Sequence, residues 1–217
     1  MIMKEKVLKA IEKEKIIVIV RGVEKEKLIP LCEAMYRGGI RLLEITYDAS
    51  GKVRDEETAE NIRMLSEKFD GRMYIGAGTV LTKKQVKLTK EAGGQFIISP
   101  NTDKAVIKKT VKLQMVSMPG ALTPTEVKEA HDAGADFVKL FPANNFGADY
   151  VKAIKAPLSN IKLTAVGGIN EKNMPDYIKA GVSGFGIGTN IVDKELIENN
   201  EYDKISELAK KYVEVIR

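Results

Sequence analysis

Eight short apolar runs recur along the chain, and longer amphipathic stretches separate them. The runs lie at 16–20, 40–45, 73–75, 95–98, 115–118, 136–141, 161–166 and 183–187. In the stretches between them, apolar residues follow helical spacing, as at Leu28, Leu31 and Met35. Strands that alternate with helices in this way predict a parallel sheet whose crossover connections are right-handed.

Four of the amphipathic stretches end in a glycine pair or an Ala-Gly pair immediately before an apolar run. These pairs are Gly38-Gly39, Ala92-Gly93, Ala133-Gly134 and Ala180-Gly181. Glycine is a common residue just beyond the last turn of a helix, so the pairs predict four helix ends. They precede the second, fourth, sixth and eighth runs, which gives a repeat unit of two strand-helix pairs.

Eight strand-helix units predict a closed (β/α)8 barrel, a TIM barrel, that forms a single domain over 1–217. A short N-terminal helix over 4–14 precedes the first strand. Hydrophobic residues make up 44% of the 217 residues, enough to fill the core of such a domain. The alternative is an open doubly wound sheet, but its G-x-G-x-x-G signature is missing after the first run.

Charge and composition exclude several classes of protein. Lysines and glutamates are interspersed at a net charge of +5, so no long basic block favours nucleic acid, although small anions are attracted. No apolar run approaches the roughly 18 residues of a membrane helix, and no signal-peptide core precedes Ile16. We therefore expect a cytoplasmic protein without membrane or nucleic-acid partners.

The chain offers few residues for metal or cofactor chemistry. It has one histidine, His131, and one cysteine, Cys32. These numbers exclude a histidine metal site, a cysteine zinc cluster and an internal disulfide. We expect no cofactor and no metal, while a magnesium site built from carboxylates alone stays open.

Lys139 stands inside the sixth apolar run, between Val138 and Leu140, and Pro142 ends that run. An ammonium group in such a setting is costly unless it is paired or deprotonated, and burial lowers its pKa. A neutral lysine amine is a nucleophile that forms Schiff bases with ketones. The alternative is a lysine whose charged head reaches solvent at the end of the strand.

Glu44 stands inside the second apolar run, between Leu43 and Ile45. Glutamate is rarely buried without a partner, so the residue indicates either a structural ion pair or a general acid/base with a raised pKa. The active site of a (β/α)8 barrel lies at the carboxyl ends of its strands. Glu44 and Lys139 would share that end, and together they favour a catalytic site.

Glycines follow the last two apolar runs, as Gly167-Gly168 and as Gly188-Thr189. The loops after the seventh and eighth strands, with a following helix N-terminus, commonly bind phosphate in this fold. Glycines let backbone N–H groups approach a phosphate, and the Thr189 hydroxyl adds a donor. The pattern therefore favours a phosphate cradle over the alternative, which is a pair of tight turns.

These stretches together resemble the 2-keto-3-deoxy-6-phosphogluconate (KDPG) aldolases. That family includes 4-hydroxy-2-oxoglutarate (KHG) aldolase activity and the closely similar 2-keto-3-deoxy-6-phosphogalactonate (KDPGal) aldolases. The resemblance extends over about 16–189. The matching stretches are Leu43-Glu44-Ile45-Thr46, Gly76-Ala77-Gly78-Thr79-Val80-Leu81, Ile98-Ser99-Pro100, Pro119-Gly120, Val138-Lys139-Leu140-Phe141-Pro142 and Gly167-Gly168-Ile169.

The resemblance implies a class I aldolase, a carbon-carbon lyase that acts as a homotrimer on a phosphorylated keto acid. It implies that Lys139 forms the Schiff base and that Glu44 transfers protons. Thr79 and Phe141 match pocket positions, and Thr189 matches a phosphate-binding serine. The implied products are pyruvate and glyceraldehyde 3-phosphate, or pyruvate and glyoxylate from 4-hydroxy-2-oxoglutarate.

Two departures from the KDPG pattern affect substrate recognition. Many KDPG aldolases carry an arginine where this chain has Asp48, and Pro-Thr where it has Ala165-Val166. The latter pair and Val20-Arg21-Gly22 are similar to the KDPGal branch, in which the arginine after the first strand can bind the substrate carboxylate. Arg21 is therefore the expected carboxylate ligand, Arg54 is the alternative, and Val166 is expected to line the pocket.

Other functions stay open at this point. A phosphosugar isomerase or synthase on the same barrel would not need an amine at position 139. A non-catalytic phosphosugar-binding protein is compatible with Asp48 and Val166, but binding alone does not need an amine and a carboxylate together. The sequence does not distinguish between the two C4 epimers of the substrate.

Overall fold

The structure is a computed structural model that describes residues 2–217. The strands are β1 Ile16–Val20, β2 Leu42–Thr46, β3 Tyr74–Gly78, β4 Phe96–Ile98, β5 Val116–Met118, β6 Gly120–Ala121, β7 Val138–Leu140, β8 Leu163–Val166 and β9 Gly184–Ile187. The helices are α1 Met3–Glu14, α2 Lys25–Arg37, α3 Asp55–Lys68, α4 Lys83–Glu91, α5 Lys104–Lys112, α6 Pro124–Asp132, α7 Gly147–Lys155, α8 Met174–Lys179, α9 Lys194–Glu198 and α10 Tyr202–Val215. None of the helices within 2–217 is long and apolar enough to cross a membrane.

The strands form one parallel sheet in the order β5-β4-β3-β2-β1-β9-β8-β7-β6. Its two outermost members, β5 and β6, are joined through Pro119 alone. β5 pairs with β4, while β6 pairs with β7, and the backbone N–H of Lys139 donates to the Pro119 carbonyl at 2.8 Å. β5 and β6 are therefore two halves of one barrel strand, and the predicted (β/α)8 barrel is confirmed.

The apolar run at 115–118 predicts a strand that ends at Pro119-Gly120, but the barrel strand continues past Pro119. Pro119 has no backbone N–H and interrupts the ladder, but pairing resumes at Gly120. A β-carbon at Gly120 would lie 2.3 Å from the Pro100 carbonyl oxygen, so the strand passes close to its neighbour at this point. Glycine permits that close approach.

Apolar side chains form two separate cores. The larger core lies between the sheet and the surrounding helices. The smaller one fills the barrel interior and includes Ile17, Leu42 and Phe96, which stand at or near the starts of their strands. α1 packs Val7 and Ile11 against this inner core and thereby closes the amino-terminal end of the barrel. The interior is left accessible at the carboxyl ends of the strands, where the active site was predicted.

The predicted helix ends agree with the backbone. Gly39, Gly93, Gly134 and Gly181 have φ between 84° and 106°, the left-handed conformation expected beyond a helix end. Thr123 begins α6 with a capping box to Glu126. These local signals therefore set the boundaries of the units in the way that the sequence predicted.

Two boundaries near the end of the chain differ from the prediction. The stretch between the last two apolar runs predicts a helix over 171–179, but the helix begins at Met174, because Asn170 and Asn173 hydrogen-bond each other's backbone and replace the first helical turn. The helix α9 was not predicted. It is too short for a periodic pattern, and Asp193 caps it by accepting a hydrogen bond from the Leu196 backbone.

Candidate active site

Glu44 and Lys139 face each other across the barrel. Glu44 lies on β2 and Lys139 on β7, and four strand steps separate these strands in either direction around the ring. The two residues are 2% and 8% exposed. Both line one narrow cavity, with a volume of about 10 Å³, in which the other polar side chain is Thr164. The barrel thus brings the two predicted catalytic residues into one buried site.

Burial shifts the pKa values of this pair in opposite directions. It lowers the pKa of the Lys139 amine; the charge of Glu44 opposes that change and the charge of Arg21 adds to it. It raises the pKa of the Glu44 carboxyl, against the influence of Lys139 and Arg21. A lowered amine pKa favours the nucleophilic form of lysine, and a raised carboxyl pKa favours proton donation.

The carboxyl group of Glu44 rests against Gly78 on the neighbouring strand β3. A β-carbon at Gly78 would lie 2.3 Å from Oε1 of Glu44. Sequence reasoning did not select Gly78 as a site residue. The available signal was a glycine inside a strand, which often marks the close approach of another group.

Arg21 and Thr79 meet at the mouth of the barrel. Arg21 follows β1, Thr79 follows β3, and Nη2 of Arg21 donates a hydrogen bond to Oγ1 of Thr79 at 3.0 Å. Because β2 lies between β1 and β3 in the sheet, this hydrogen bond spans the end of the strand that carries Glu44. Thr79 has φ of 54°, which is uncommon for a β-branched residue and typical of strained positions near functional sites.

Asp48, which stands where many KDPG aldolases have an arginine, is hydrogen-bonded to residues of its own loop. Its carboxylate accepts hydrogen bonds from the backbone N–H groups of Ser50, Lys52 and Val53 and from the Ser50 hydroxyl. These bonds lower the pKa of Asp48 to about 2. The aspartate at this position therefore has a structural role, because its carboxylate holds the segment 48–53 in a turn.

Arg54 is paired with a residue of its own helix start. Its Nε donates to Oε1 of Glu57 at 2.6 Å in the first turn of α3, and both side chains are largely exposed. Arg21, in contrast, lines a groove that also includes Thr189. Of the two arginines considered from the sequence, Arg21 is the one that contacts Thr79 and shares a groove with Thr189.

Phe141 and Val166 lie near the Lys139 side chain. The Phe141 ring is 40% exposed, and the Lys139 Nζ lies 5.0 Å from its centroid. Val166 is buried and lines the cavity. A β-carbon at Gly167 would lie 3.3 Å from the Phe141 ring, so the ring packs against the loop after β8. Both predicted pocket residues are thus close to the amine.

The two glycine loops lie side by side because β8 and β9 are neighbours in the sheet. Gly167 and Gly168 have φ of 95° and 69°. In the second loop, the N–H groups of Ile191 and Val192 donate to the Gly188 carbonyl and close a turn around Thr189, which is exposed. The two loops are therefore adjacent, and the helices that follow them, α8 and α9, are short.

Thr164 is a further polar residue of the cavity that sequence reasoning missed. It is 2% exposed, and its hydroxyl has no hydrogen-bond partner within 2–217. The available signal was a hydroxyl residue inside the apolar run of β8. Within the same range, no group of three histidine, cysteine, aspartate or glutamate side chains is arranged to hold a metal ion.

Comparisons with known proteins identify the family of the chain. A model of the family described as KDPG and KHG aldolase matches residues 7–208. A probable 2-dehydro-3-deoxy-6-phosphogalactonate aldolase of Rhizobium meliloti is 37% identical over 177 residues, which cover 81% of this chain and 81% of that protein.

Solved structures give the same result. A native KDPGal structure has a TM-score of 0.83 at 32% identity, with 93% of this chain and 94% of that chain covered. KDPG aldolase from Legionella pneumophila, with pyruvate captured as a covalent carbinolamine intermediate, has a TM-score of 0.83 at 30% identity, with 94% and 96% covered. The chain therefore belongs to the KDPG and KHG aldolase family, which confirms the predicted family and the predicted class of enzyme, a class I aldolase.

Proposed function

We propose that this chain cleaves a phosphorylated 2-keto-3-deoxy sugar acid, KDPGal or KDPG, to pyruvate and glyceraldehyde 3-phosphate. The observation that carries the proposal is the buried pair of Lys139 and Glu44, whose pKa values are shifted in complementary directions. The Legionella relative supports it, since pyruvate forms a covalent carbinolamine in that protein. The KHG reaction, which gives pyruvate and glyoxylate, is a second activity that the family description supports.

Lys139 acts first, as the nucleophile. Its neutral amine attacks the C2 ketone, and loss of water from the carbinolamine leaves an iminium. The iminium accepts the electron pair of the C3–C4 bond when that bond breaks. Burial supports this role because it keeps a larger fraction of the amine unprotonated at neutral pH.

Glu44 moves the protons, through a water molecule. It accepts the proton of the C4 hydroxyl as the aldehyde leaves, and it returns a proton to C3 of the pyruvate enamine. Hydrolysis of the resulting iminium releases pyruvate and restores the amine. A carboxyl group with a raised pKa suits both directions of transfer.

Substrate binding involves the groups at the barrel mouth. Arg21 binds the carboxylate next to C2, and Thr79 holds the arginine side chain in place. The loops with Gly167, Gly168, Gly188 and Thr189 bind the phosphate at the opposite end of the substrate. Phe141 and Val166 provide the apolar walls near the amine.

Borohydride trapping tests the proposed Schiff base. Pyruvate and borohydride are expected to leave one covalent adduct on Lys139, located by peptide mass spectrometry, and Lys139→Ala is expected to abolish both adduct and cleavage. Lys155→Ala is the matched control, because burial also lowers the pKa of Lys155 but its amine bonds to the Ser159 and Ile161 carbonyls. Cleavage that survives Lys139→Ala would instead support an isomerase or synthase mechanism.

A homotrimer and a cytoplasmic location complete the proposal, both on the basis of the family resemblance. Light scattering on the purified chain is expected to give three times the monomer mass of 24.0 kDa. A monomer mass at micromolar concentration would contradict the trimer. Fractionation of the source cells, with the chain expected in the soluble cytoplasmic fraction, tests the location.

A further inference from the structure

Thr164 is a buried residue to which the mechanism above gives no task. Its hydroxyl is enclosed and has no hydrogen-bond partner within the described residues. Buried hydroxyl groups in native proteins nearly always have a partner, and an unpartnered one reduces stability. A threonine at this place therefore indicates a partner that is present during function.

The register of the sheet aims this hydroxyl into the catalytic cavity. Thr164 on β8 is paired with Lys139 on β7, and residues in register on parallel strands point to the same face of a sheet. Both side chains line the cavity together with Glu44. Oε2 of Glu44 is also buried without a hydrogen-bond partner within 2–217. Two oxygens with unused hydrogen-bonding capacity thus share one small cavity with the amine.

We propose that Thr164 is a positioning residue, whose hydroxyl and the Glu44 carboxyl together hold the water through which Glu44 exchanges protons with the substrate. The inference rests on the proposed Schiff-base function. When the enamine is protonated, Glu44 gives its proton to this water, and the water gives one of its own protons to C3. Glu44 ends as a carboxylate, the enamine becomes an iminium, and the Thr164 hydroxyl is unchanged.

Loss of the Thr164 hydroxyl should affect Schiff-base formation and enamine protonation differently. Lys139 attacks the ketone directly, so Schiff-base formation does not depend on the orientation of the water. Exchange of the pyruvate methyl protons with solvent passes through the enamine, so it depends on that water at every turnover. If Thr164 had only a structural role, its replacement would slow both steps to a similar extent.

The test compares both steps in Thr164→Val, Thr164→Ser and Thr110→Val. Thr110 is a matched control, since it is equally buried but its hydroxyl bonds to the Val106 carbonyl on α5. Deuterium exchange into the pyruvate methyl group is followed by NMR, and the Lys139 adduct is measured after borohydride trapping. A thermal melt confirms that each variant is folded.

Thr164→Val is expected to slow methyl exchange about tenfold to a hundredfold while the adduct yield stays within about twofold, and Thr164→Ser is expected to restore exchange. The Tm of Thr164→Val is expected to stay close to that of the wild type, because valine has nearly the volume of threonine. Wild-type exchange in Thr164→Val, or equal slowing in the valine and serine variants, would overturn the positioning role alone. Absence of an adduct in the wild type would overturn the proposed function and this inference with it.

Discussion

Oε1 of Glu44 occupies the space that a β-carbon at Gly78 would need, at 2.3 Å from that position. The two residues lie on the neighbouring strands β2 and β3, and the carboxyl group leans over the glycine toward the end of the barrel. The proposed acid/base can therefore take this position only because residue 78 has no side chain.

Gly78→Ala is expected to displace the Glu44 carboxyl and to reduce kcat for cleavage about a hundredfold, the scale of a lost general acid/base. Borohydride trapping of pyruvate on Lys139 is expected to persist. Overpacking should also lower the free energy of unfolding by about 1–3 kcal/mol. Steady-state kinetics, trapping and denaturation measure the three effects.

Gly76→Ala is the matched control on the same strand. Its β-carbon would meet the Phe96 ring at 2.3 Å, so it overpacks the inner core without contacting Glu44. A similar loss of stability with far smaller loss of kcat is expected. If both variants lose kcat equally, the effect of Gly78→Ala comes from general distortion of the barrel.

The pH dependence of adduct formation is expected to follow the protonation of Lys139. The protonated amine is not a nucleophile, so trapping should decline as the pH falls below the pKa of Lys139, which burial places below 10.5. Glu44 raises this pKa and Arg21 lowers it. Glu44→Gln should therefore move the midpoint of trapping to lower pH, and Arg21→Met should move it to higher pH. Shifts in the same direction would contradict the assignment of the midpoint to Lys139.

The sequence alone could predict the barrel and the burial of Lys139 and Glu44 because both depend on local signals. Strand and helix periodicity indicated the eight units, and a charged residue inside each of two apolar runs indicated Lys139 and Glu44. The continuation of the fifth strand past Pro119 depends on pairing with β7, which is a long-range contact. Local pattern could not reveal it.

The orientation of individual side chains at the site could not be predicted for the same reason. The family pattern identified only a charge reversal at Asp48 and did not indicate that its carboxylate turns back onto its own loop. Thr164 is a site residue only because of its register with Lys139. Gly78 belongs to the site only because Glu44 packs against it. Each depends on contacts between separate strands or on loop geometry.

Arg21→Ala is expected to raise the KM for the keto acid about tenfold to a hundredfold, the effect of removing a hydrogen-bonded charge from a carboxylate. Arg54→Ala is expected to leave the KM within about twofold, because Arg54 pairs with Glu57 on α3. Thr79→Val removes the 3.0 Å hydrogen bond from Arg21 but keeps the Arg21 charge, so a rise in KM between those of the other two variants is expected. Steady-state kinetics on all three variants measure these effects. A larger rise in KM for Arg54→Ala than for Arg21→Ala would contradict the assignment of Arg21 as the carboxylate ligand.

Asp48→Ala is expected to loosen the segment 48–53, because the carboxylate accepts hydrogen bonds from three backbone N–H groups of that segment. Hydrogen exchange at Ser50, Lys52 and Val53 should become faster, while trapping on Lys139 should be unchanged. Because the pKa of Asp48 is about 2, the wild-type segment should keep its protection down to roughly that pH. Loss of trapping in Asp48→Ala would instead give Asp48 a direct part in the reaction.

Gly168→Ala tests the phosphate cradle. Gly168 has φ of 69°, and its β-carbon would lie 2.4 Å from that of Asn144, so the loop must shift. The kcat/KM for a phosphorylated substrate is expected to fall at least about tenfold, which corresponds to about 1.4 kcal/mol of lost binding in the transition state. The value for 4-hydroxy-2-oxoglutarate, which has no phosphate, should stay within about twofold. Gly181→Ala is the matched control, because φ is 92° there and its β-carbon would meet Lys155 at an ordinary 3.7 Å, away from the site. An equal loss with both substrates would mean that the loop after β8 serves the amine end of the cavity and not the phosphate.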